Sequence, residues 1–244
     1  MKKTMCIAFR FKNLIYLFLS SLFSVALVIL FSMNNAVIST VKANTDSAPP
    51  IIIIDAGHGG EDGGTQSSAG VLEKDINLSI AKKVNAILLS QGYNTIMIRN
   101  DDRLIYGDDC SSQREKKVSD IHNRMKIIEE NPNCIFLSIH QNHFSQSKYN
   151  GAQVFYSPNN ERSSLLAESV QKSIVSLIQQ ENKRKIKKSG TEIYLLYHAK
   201  CPSIMVECGF LSNPGEALLL NDDEYQKKMS LAIVHGVIKY IKGV

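Results

Sequence analysis

The chain has 244 residues, 44% of them hydrophobic, which is enough for one α/β domain with a sizeable core in addition to its first segment. Its formal net charge of +5 resides in the first 43 residues, which carry five basic side chains and no acidic one. Of the 28 basic side chains, 23 therefore remain to balance 23 acidic ones. This neutral remainder excludes a nucleic-acid-binding protein that works through a basic surface.

Residues 1–43 have the pattern of an export segment. A basic head over residues 1–12 precedes an apolar run from Leu14 to Phe31, which is the order of a secretory signal. The run is also as long as the roughly 18 apolar residues that can span a bilayer, and Val41-Lys42-Ala43 offers a small-residue cleavage site. A cleaved signal peptide and an uncleaved membrane anchor both remain open. Either one predicts that the rest of the chain is exported across the cytoplasmic membrane.

Residues 44–50 are polar and contain proline, which favours a linker, and the predicted domain covers residues 51–244. Ile51–Ile54 is a short β-branched run, typical of a strand that is buried on both faces. Further strands are predicted at Thr95–Ile98, Cys134–Ile139, Ala152–Tyr156, Glu192–Leu196 and Ser203–Val206.

Apolar residues at helical spacing predict four helices between and after these strands. They follow Asp75, cover Val118–Glu130 and Ser163–Gln180, and begin at Asn221, where Glu224 would complete a capping box. Alternating strands and helices predict a single α/β domain with a mostly parallel, six-stranded twisted sheet covered by helices on both faces.

The five cysteines, Cys6, Cys110, Cys134, Cys201 and Cys208, form no CxxC pair. Neither a disulfide framework nor a cysteine-based zinc site is indicated. We interpret those beyond the leader as isolated small residues, mostly in the core.

Candidate chemical groups follow the predicted strands. In open α/β sheets, ligands bind outside the carboxyl ends of the strands. Applied to this chain, that rule selects His58 after the first strand, His140 after the third and Glu207 after the sixth. Each is a metal ligand or an acid–base group by type.

Glu73 stands at the end of a glycine-rich loop, which could fold back toward His58. Two imidazoles and one carboxylate make a catalytic zinc site whose fourth position is open to water. A single histidine after a strand is more often a structural residue. The Gly57–Gly60 turn could instead bind a phosphate, although it lacks both the GxGxxG spacing and a GK[ST] ending.

Four segments carry a resemblance to a known family. In chain order they are IIIIDAGHGGEDGG (51–64), EKDINL (73–78), SIHQNH (138–143) and IMVECGFLSNPGE (204–216). Their order and spacing resemble those of the zinc-dependent N-acetylmuramoyl-L-alanine amidases of bacterial cell walls. Within that family they are most similar to the spore-cortex amidases of endospore-forming bacteria.

The resemblance implies that His58, Glu73 and His140 bind one zinc ion and that Glu207 is the catalytic acid–base residue. It implies hydrolysis of the amide between N-acetylmuramic acid and L-alanine in peptidoglycan, either in spore-cortex maturation, where muramic lactam forms, or in wall remodelling. Dependence on an activating partner protein stays open.

Two residues depart from the family pattern. Gln141 and His143 stand where the family usually has small residues. His143 brings a second imidazole close to the predicted metal, so an exchange with His140 as ligand stays open.

Three further residues have weaker predicted roles. Asn142 follows the metal-binding histidine and is a candidate for substrate binding. Arg124, at a helix position where the family carries an arginine, is either a substrate-binding or a structural residue. Asp55 is a candidate acceptor of a hydrogen bond from a ligand imidazole.

Two other function classes compete with this interpretation. A catalytically silent wall-binding protein would keep the fold but would lack a ligand or the acid, and none is missing. A zinc peptidase would cut within the stem peptide instead of at its root.

Overall fold

The computed structural model describes residues 22–25 and 49–244. Residues 22–25 are helical. The rest of the predicted export segment, and the predicted linker up to residue 48, lie outside the described residues. Within the described ranges, no helix combines the length and the apolarity that crossing a bilayer requires. A compact unit spans Pro50–Val244.

Residues 50–244 form six strands and six helices. The strands are β1 (Ile51–Ala56), β2 (Thr95–Met97), β3 (Cys134–Asn142), β4 (Gln153–Tyr156), β5 (Lys187–Lys188) and β6 (Ser203–Phe210). The helices are α1 (Glu73–Ser90), α2 (Gln113–Glu129), α3 (Arg162–Leu177), α4 (Tyr194–His198), α5 (Pro214–Leu220) and α6 (Asp223–Lys242).

The strands form one sheet in the order β2-β1-β3-β6-β4-β5. All neighbouring pairs are parallel except β4 and β6, which are antiparallel. Helices α1, α3 and α6 pack on one face of this sheet, and α2 and α4 pack on the other. The predicted α/β class, with a mostly parallel six-stranded sheet between helical layers, is confirmed.

The alternation of side chains along each strand decides which of them reach the site. Successive residues of a strand point to opposite faces. Ile54 and Leu137 belong to the core beneath α1, α3 and α6, whereas Ile53 and Phe136 belong to the core beneath α2 and α4. By the same alternation, Asp55, Ser138, His140 and Glu207 share the face that α2 and α4 cover.

The predicted fifth strand is wrong. Glu192–Leu196 forms a turn that leads into α4, where the backbone N–H of Tyr197 donates to the carbonyl oxygen of Ile193 at 2.9 Å. A five-residue apolar run is too short for periodicity to distinguish a strand from a helix. The fifth strand is Lys187–Lys188, which pairs with Phe155–Tyr156 of β4.

The C-terminal helices also differ from the prediction. Asp222, not Asn221, caps α6 by accepting a hydrogen bond from the backbone N–H of Tyr225 at 2.8 Å. Asn221 instead ends α5, a helix absent from the predicted elements. Cys134 and Cys201 are not isolated residues, since their sulfur atoms lie 2.9 Å apart.

Candidate metal centre

Three neighbouring strands end at the same edge of the sheet, and each brings a candidate side chain there. Strands β1, β3 and β6 are adjacent and parallel, so their carboxyl ends meet. His58 follows β1 by two residues, and His140 of β3 is the register partner of Glu207 of β6. The structure therefore brings together the three side chains that the strand-end rule selects.

The turn after β1 holds His58 in a conformation that is rare for a residue with a side chain. Its φ is 63°, in the left-handed region. Arg99 donates to the carbonyl oxygens of Ala56 and Gly57 at 2.8 and 3.0 Å, and Arg124 donates to the carbonyl oxygen of His58 at 2.9 Å. Such strained residues persist only where the surrounding contacts fix them, and these two guanidinium groups supply the contacts.

Two glycines allow the loop after β1 to approach the candidate ligands. A Cβ atom added to Gly57 would lie 2.1 Å from Nε2 of His140, and one added to Gly64 would lie 2.6 Å from Oε2 of Glu73. Gly64 also has a φ of +68°. A side chain at either position would therefore displace a ligand.

Glu73 reaches the same edge as the first residue of α1. Its side chain is only 4% exposed and accepts hydrogen bonds from the backbone N–H groups of Thr65 at 2.9 Å and Gln141 at 3.0 Å. The side-chain amide of Asn77, one helical turn further along α1, donates a third at 3.2 Å. These donors fix the carboxylate in one orientation.

His58, Glu73 and His140 form a compact group of three potential metal ligands. Each offers one ligand atom, and these atoms lie within 4.8 Å of one another. Nε2 of His58 is 3.2 Å from Oε2 of Glu73, and Nδ1 of His140 is 2.9 Å from Oε1. Two imidazoles and one carboxylate match the donor set of a catalytic zinc site.

The charge state of Glu73 also suits a cation, whereas His58 has to release a proton before it can bind one. Burial alone would raise the pKa of Glu73, but hydrogen bonds from His140 and His58 outweigh it and hold this pKa well below its ordinary value. Burial lowers the pKa of His58, whereas hydrogen bonds to Asp62 and Glu73 raise it to about 9. The carboxylate thus stays ionised, as a metal ligand must be.

Glu207 lies beside the group with one buried oxygen unsatisfied. Its Oε2 atom has no hydrogen-bond partner within the described residues. Burial raises the pKa of Glu207 to about 7. The charge of Glu73 also raises this pKa, whereas the imidazoles of His140 and His58 lower it. A carboxyl group that titrates near neutrality is suited to both accept and donate a proton.

A cavity of about 390 Å³ adjoins these groups on the α2 and α4 side of the sheet. His140 and Glu207 lie in its wall, together with the apolar side chains of Ile121, Leu195 and Met205. Pockets of this size, apolar with a few convergent polar groups, are typical of ligand sites.

Arg124 does not line the cavity that holds His140 and Glu207, but it lies with His58 and His140 in the wall of a smaller cavity of about 130 Å³. It is 2% exposed and donates to Asp55 at 2.5 Å, to Asp120 at 2.7 Å and to the backbone oxygens of Ala56 and His58. These bonds occupy its guanidinium, and they favour the structural role over the substrate-binding role that the sequence also left open.

Asp55 is not the partner of a ligand imidazole. Its carboxylate accepts hydrogen bonds from Arg124 and, at 2.6 Å, from Ser138. The imidazole partner is Asp62, whose Oδ2 lies 2.8 Å from Nδ1 of His58. Asp62 lies in the loop after β1. The alternation of side chains along a strand does not predict where the residues of such a loop lie.

Loss of Arg124 is expected to destabilise the fold, because Asp55 would stay buried without its partner. Breaking a buried ion pair in this way costs about 3–5 kcal/mol. We expect Arg124→Met to lower the free energy of unfolding by this amount in urea titrations. Arg114→Met, which changes an exposed arginine of the same helix, should alter it by less than about 0.5 kcal/mol. Equal values for the two variants would contradict the assigned role.

The residues around His140 occupy different environments. Gln141 is buried, and its side-chain amide donates at 3.0 Å to Asn77, which in turn donates to the candidate ligand Glu73. His143 is exposed and is not a member of the three-residue group. Asn142 is partly exposed at the end of β3.

Asn77 is a supporting residue that the sequence could have indicated. It lies four residues after Glu73 on α1, the spacing that places two side chains on one helix face.

Comparisons with known proteins identify the family. The sequence profile of N-acetylmuramoyl-L-alanine amidases matches residues 52–239. The germination-specific N-acetylmuramoyl-L-alanine amidase of Bacillus subtilis (strain 168) is 32% identical over 206 residues, which cover 81% of this chain and 86% of that protein. The chain belongs to the N-acetylmuramoyl-L-alanine amidase family.

Solved structures of the amidase family have the same fold. The CwlD amidase of Clostridioides difficile, determined in complex with the GerS lipoprotein, matches with a TM-score of 0.77 and 39% identity, covering 80% of this chain and all of that one. The amidase AmiC2 of Nostoc punctiforme matches with a TM-score of 0.68 and 31% identity over 80% of this chain and 99% of that one.

Membership of this family decides between the competing function classes. This amidase is an enzyme that acts on peptidoglycan, so neither a silent wall-binding protein nor a stem peptidase describes it. The resemblance drawn from the four segments is confirmed. The candidate metal ligands and Glu207 lie within the matched residues.

Proposed function

We propose that this amidase is zinc-dependent, with His58, Glu73 and His140 as ligands and Glu207 as the catalytic acid–base residue. One observation carries the proposal: three potential ligand atoms within 4.8 Å of one another lie beside the carboxylate of Glu207, which has one buried oxygen without a hydrogen-bond partner within the described residues. A bound zinc ion polarises a carbonyl group and lowers the pKa of water to about 7.

The protein residues perform the remaining steps. Glu207 accepts a proton from the attacking water and later donates it to the nitrogen of the departing L-alanine. Its raised pKa, about 7, suits both directions of transfer. Asp62 orients the imidazole of His58, and the hydrogen bonds to Glu73 hold the third ligand, so neither needs to reorganise during the reaction.

We propose the partly exposed Asn142 as a substrate-binding residue, because it follows His140 by two positions at the rim of the site. Comparing KM and kcat of Asn142→Ala with those of the unchanged enzyme tests this role. A variant with both constants unchanged would exclude it.

We propose the spore cortex as the substrate wall. The similarity to a germination-specific amidase supports this. Removing the stem peptide bares the lactyl carboxyl of muramic acid, which lactam formation requires. Purified cortex should be cut more efficiently than vegetative wall, and the reverse preference would exclude this assignment.

We propose that residues 1–43 export the chain and that a lipoprotein partner assists it. The basic and apolar leader supports export, and the complex of the related CwlD with GerS supports a partner. The intact mass of the exported protein shows whether the leader is cleaved or kept as an anchor. Full activity of the isolated chain would contradict the need for a partner.

Removal of zinc is expected to abolish amide cleavage. The enzyme, with any partner that it requires, is treated with a chelator, supplied again with zinc or magnesium, and incubated with peptidoglycan. Mass spectrometry should find stem peptides with a free L-alanine amine only after zinc is restored. Equal cleavage in the chelated sample would overturn the zinc proposal, and cuts within the stem would overturn the assigned bond.

A further inference from the structure

Two buried cysteines face each other across the central pair of strands. The Sγ atom of Cys134, the first residue of β3, lies 2.9 Å from that of Cys201, two residues before β6. The register pairs Phe136 with Ser203, so two steps back along each strand place Cys134 opposite Cys201. Adjacent strands lie about 4.7–4.9 Å apart. This spacing is within the Cα separation of about 4.4–6.8 Å that disulfides bridge.

The two thiols need to move only a short distance to form a disulfide bond. A disulfide is about 2.05 Å long, so the sulfur atoms would need to approach by less than about 1 Å. Cys201 lies in the bend before β6 and outside the regular strand, so its backbone can adjust.

The pairing is specific within residues 49–244. Cys134 and Cys201 share the core beneath α2 and α4, at 2% and 6% exposure. Cys208 lies in the core on the opposite face of the sheet, and Cys110 lies in the partly exposed segment before α2. Neither is placed to compete for the pair.

We propose that Cys134 and Cys201 form a disulfide bond in the exported enzyme. The proposal rests on the export proposed above, because disulfides persist outside the cytoplasm, but not on the zinc chemistry. The oxidant is the disulfide of an exported thiol oxidoreductase. It accepts two electrons and two protons and becomes two thiols, while the two cysteine thiols lose them and join.

The exchange passes through a mixed disulfide. The thiolate of one cysteine attacks a sulfur of the oxidant, and the thiolate of the other then displaces the thiol of the oxidant as the new bond forms. Because both sulfurs are buried in the folded enzyme, the exchange takes place during folding.

The bond would join β3 and β6 at their amino ends, the ends opposite His140 and Glu207. The two cysteines are 67 positions apart. Closing a loop of this length restricts the unfolded chain, and for a domain of this size the expected rise in Tm is on the order of 10 °C.

Differential thiol labelling of the full exported chain tests the proposal. Free thiols are alkylated under denaturing conditions, the sample is reduced, and the new thiols receive a heavier label before digestion and mass spectrometry. Cys134 and Cys201 should carry the heavy label, whereas Cys110 and Cys208 should carry the light one. Light label on both Cys134 and Cys201, or heavy label on Cys110, would overturn the proposal, whatever the amidase activity.

Thermal unfolding provides a second test with a matched control. A reductant strong enough to open the bond in the unfolding chain should lower the Tm of the unchanged enzyme by about 10 °C. It should do the same in Cys110→Ser and have no effect in Cys134→Ser/Cys201→Ser. A Tm of the unchanged enzyme that does not respond to reductant would contradict a stabilising bond.

Discussion

Replacement of Glu207 by glutamine is expected to stop amide cleavage while leaving zinc binding intact. Glutamine keeps the shape of the side chain but can neither accept the proton of water nor return it to the leaving nitrogen. General acid–base catalysis contributes about 10²–10⁴-fold, and Glu207 would serve in both directions. We expect kcat to fall by about 10³-fold or more, measured by the release of stem peptides from peptidoglycan.

The comparison needs a zinc measurement on the same samples. Glu207→Gln should bind zinc with the stoichiometry of the unchanged enzyme, because the three ligands are untouched. It should also not be less stable, since the buried Oε2 of Glu207 has no hydrogen-bond partner within the described residues. Glu130→Gln changes the exposed residue that follows α2, and it is the control that should keep full activity. Substantial activity in Glu207→Gln would remove this residue from the mechanism.

Loss of any one ligand is expected to remove the metal and, with it, the activity. His58→Ala, His140→Ala and Glu73→Gln each leave two of the three donors. At a zinc concentration 100 times the dissociation constant, binding stabilises the folded state by about 2.7 kcal/mol. The zinc-dependent rise in Tm should therefore be clear in the unchanged enzyme and absent in each variant.

His143→Ala is the matched control for these variants. It removes an imidazole three residues from His140 that is exposed and lies outside the ligand group. It should keep both the zinc stoichiometry and the Tm response. If His143→Ala lost the metal and His140→Ala kept it, the two histidines would have exchanged roles.

Those residues of the site that follow the predicted strands could be grouped from the sequence alone. Short apolar runs identify β1, β3 and β6, and the carboxyl ends of adjacent parallel strands must meet. His58, His140 and Glu207 could therefore be grouped before any comparison. Glu73 depended on resemblance, because no periodic pattern describes the loop of residues 57–72.

The remaining differences arise where tertiary contacts decide the outcome. A helical arginine is usually exposed, so the burial of Arg124 became apparent only when Asp55 was found opposite it. The contact between Cys134 and Cys201 depends on the register of β3 and β6, and this register cannot be predicted from composition. In contrast, the start of α5 could have been predicted from the sequence, since the capping residue Asn213 precedes Pro214 and is followed three residues later by Glu216.

Anomalous diffraction at the zinc edge, from crystals of the zinc-loaded enzyme, tests the central claim most directly. We predict one strong peak at roughly 2.0–2.2 Å from a nitrogen of His58, a nitrogen of His140 and an oxygen of Glu73. Glu207 should lie beside the ion without binding it. A peak coordinated by His143 or by a cysteine, or no peak between these three side chains, would contradict the account.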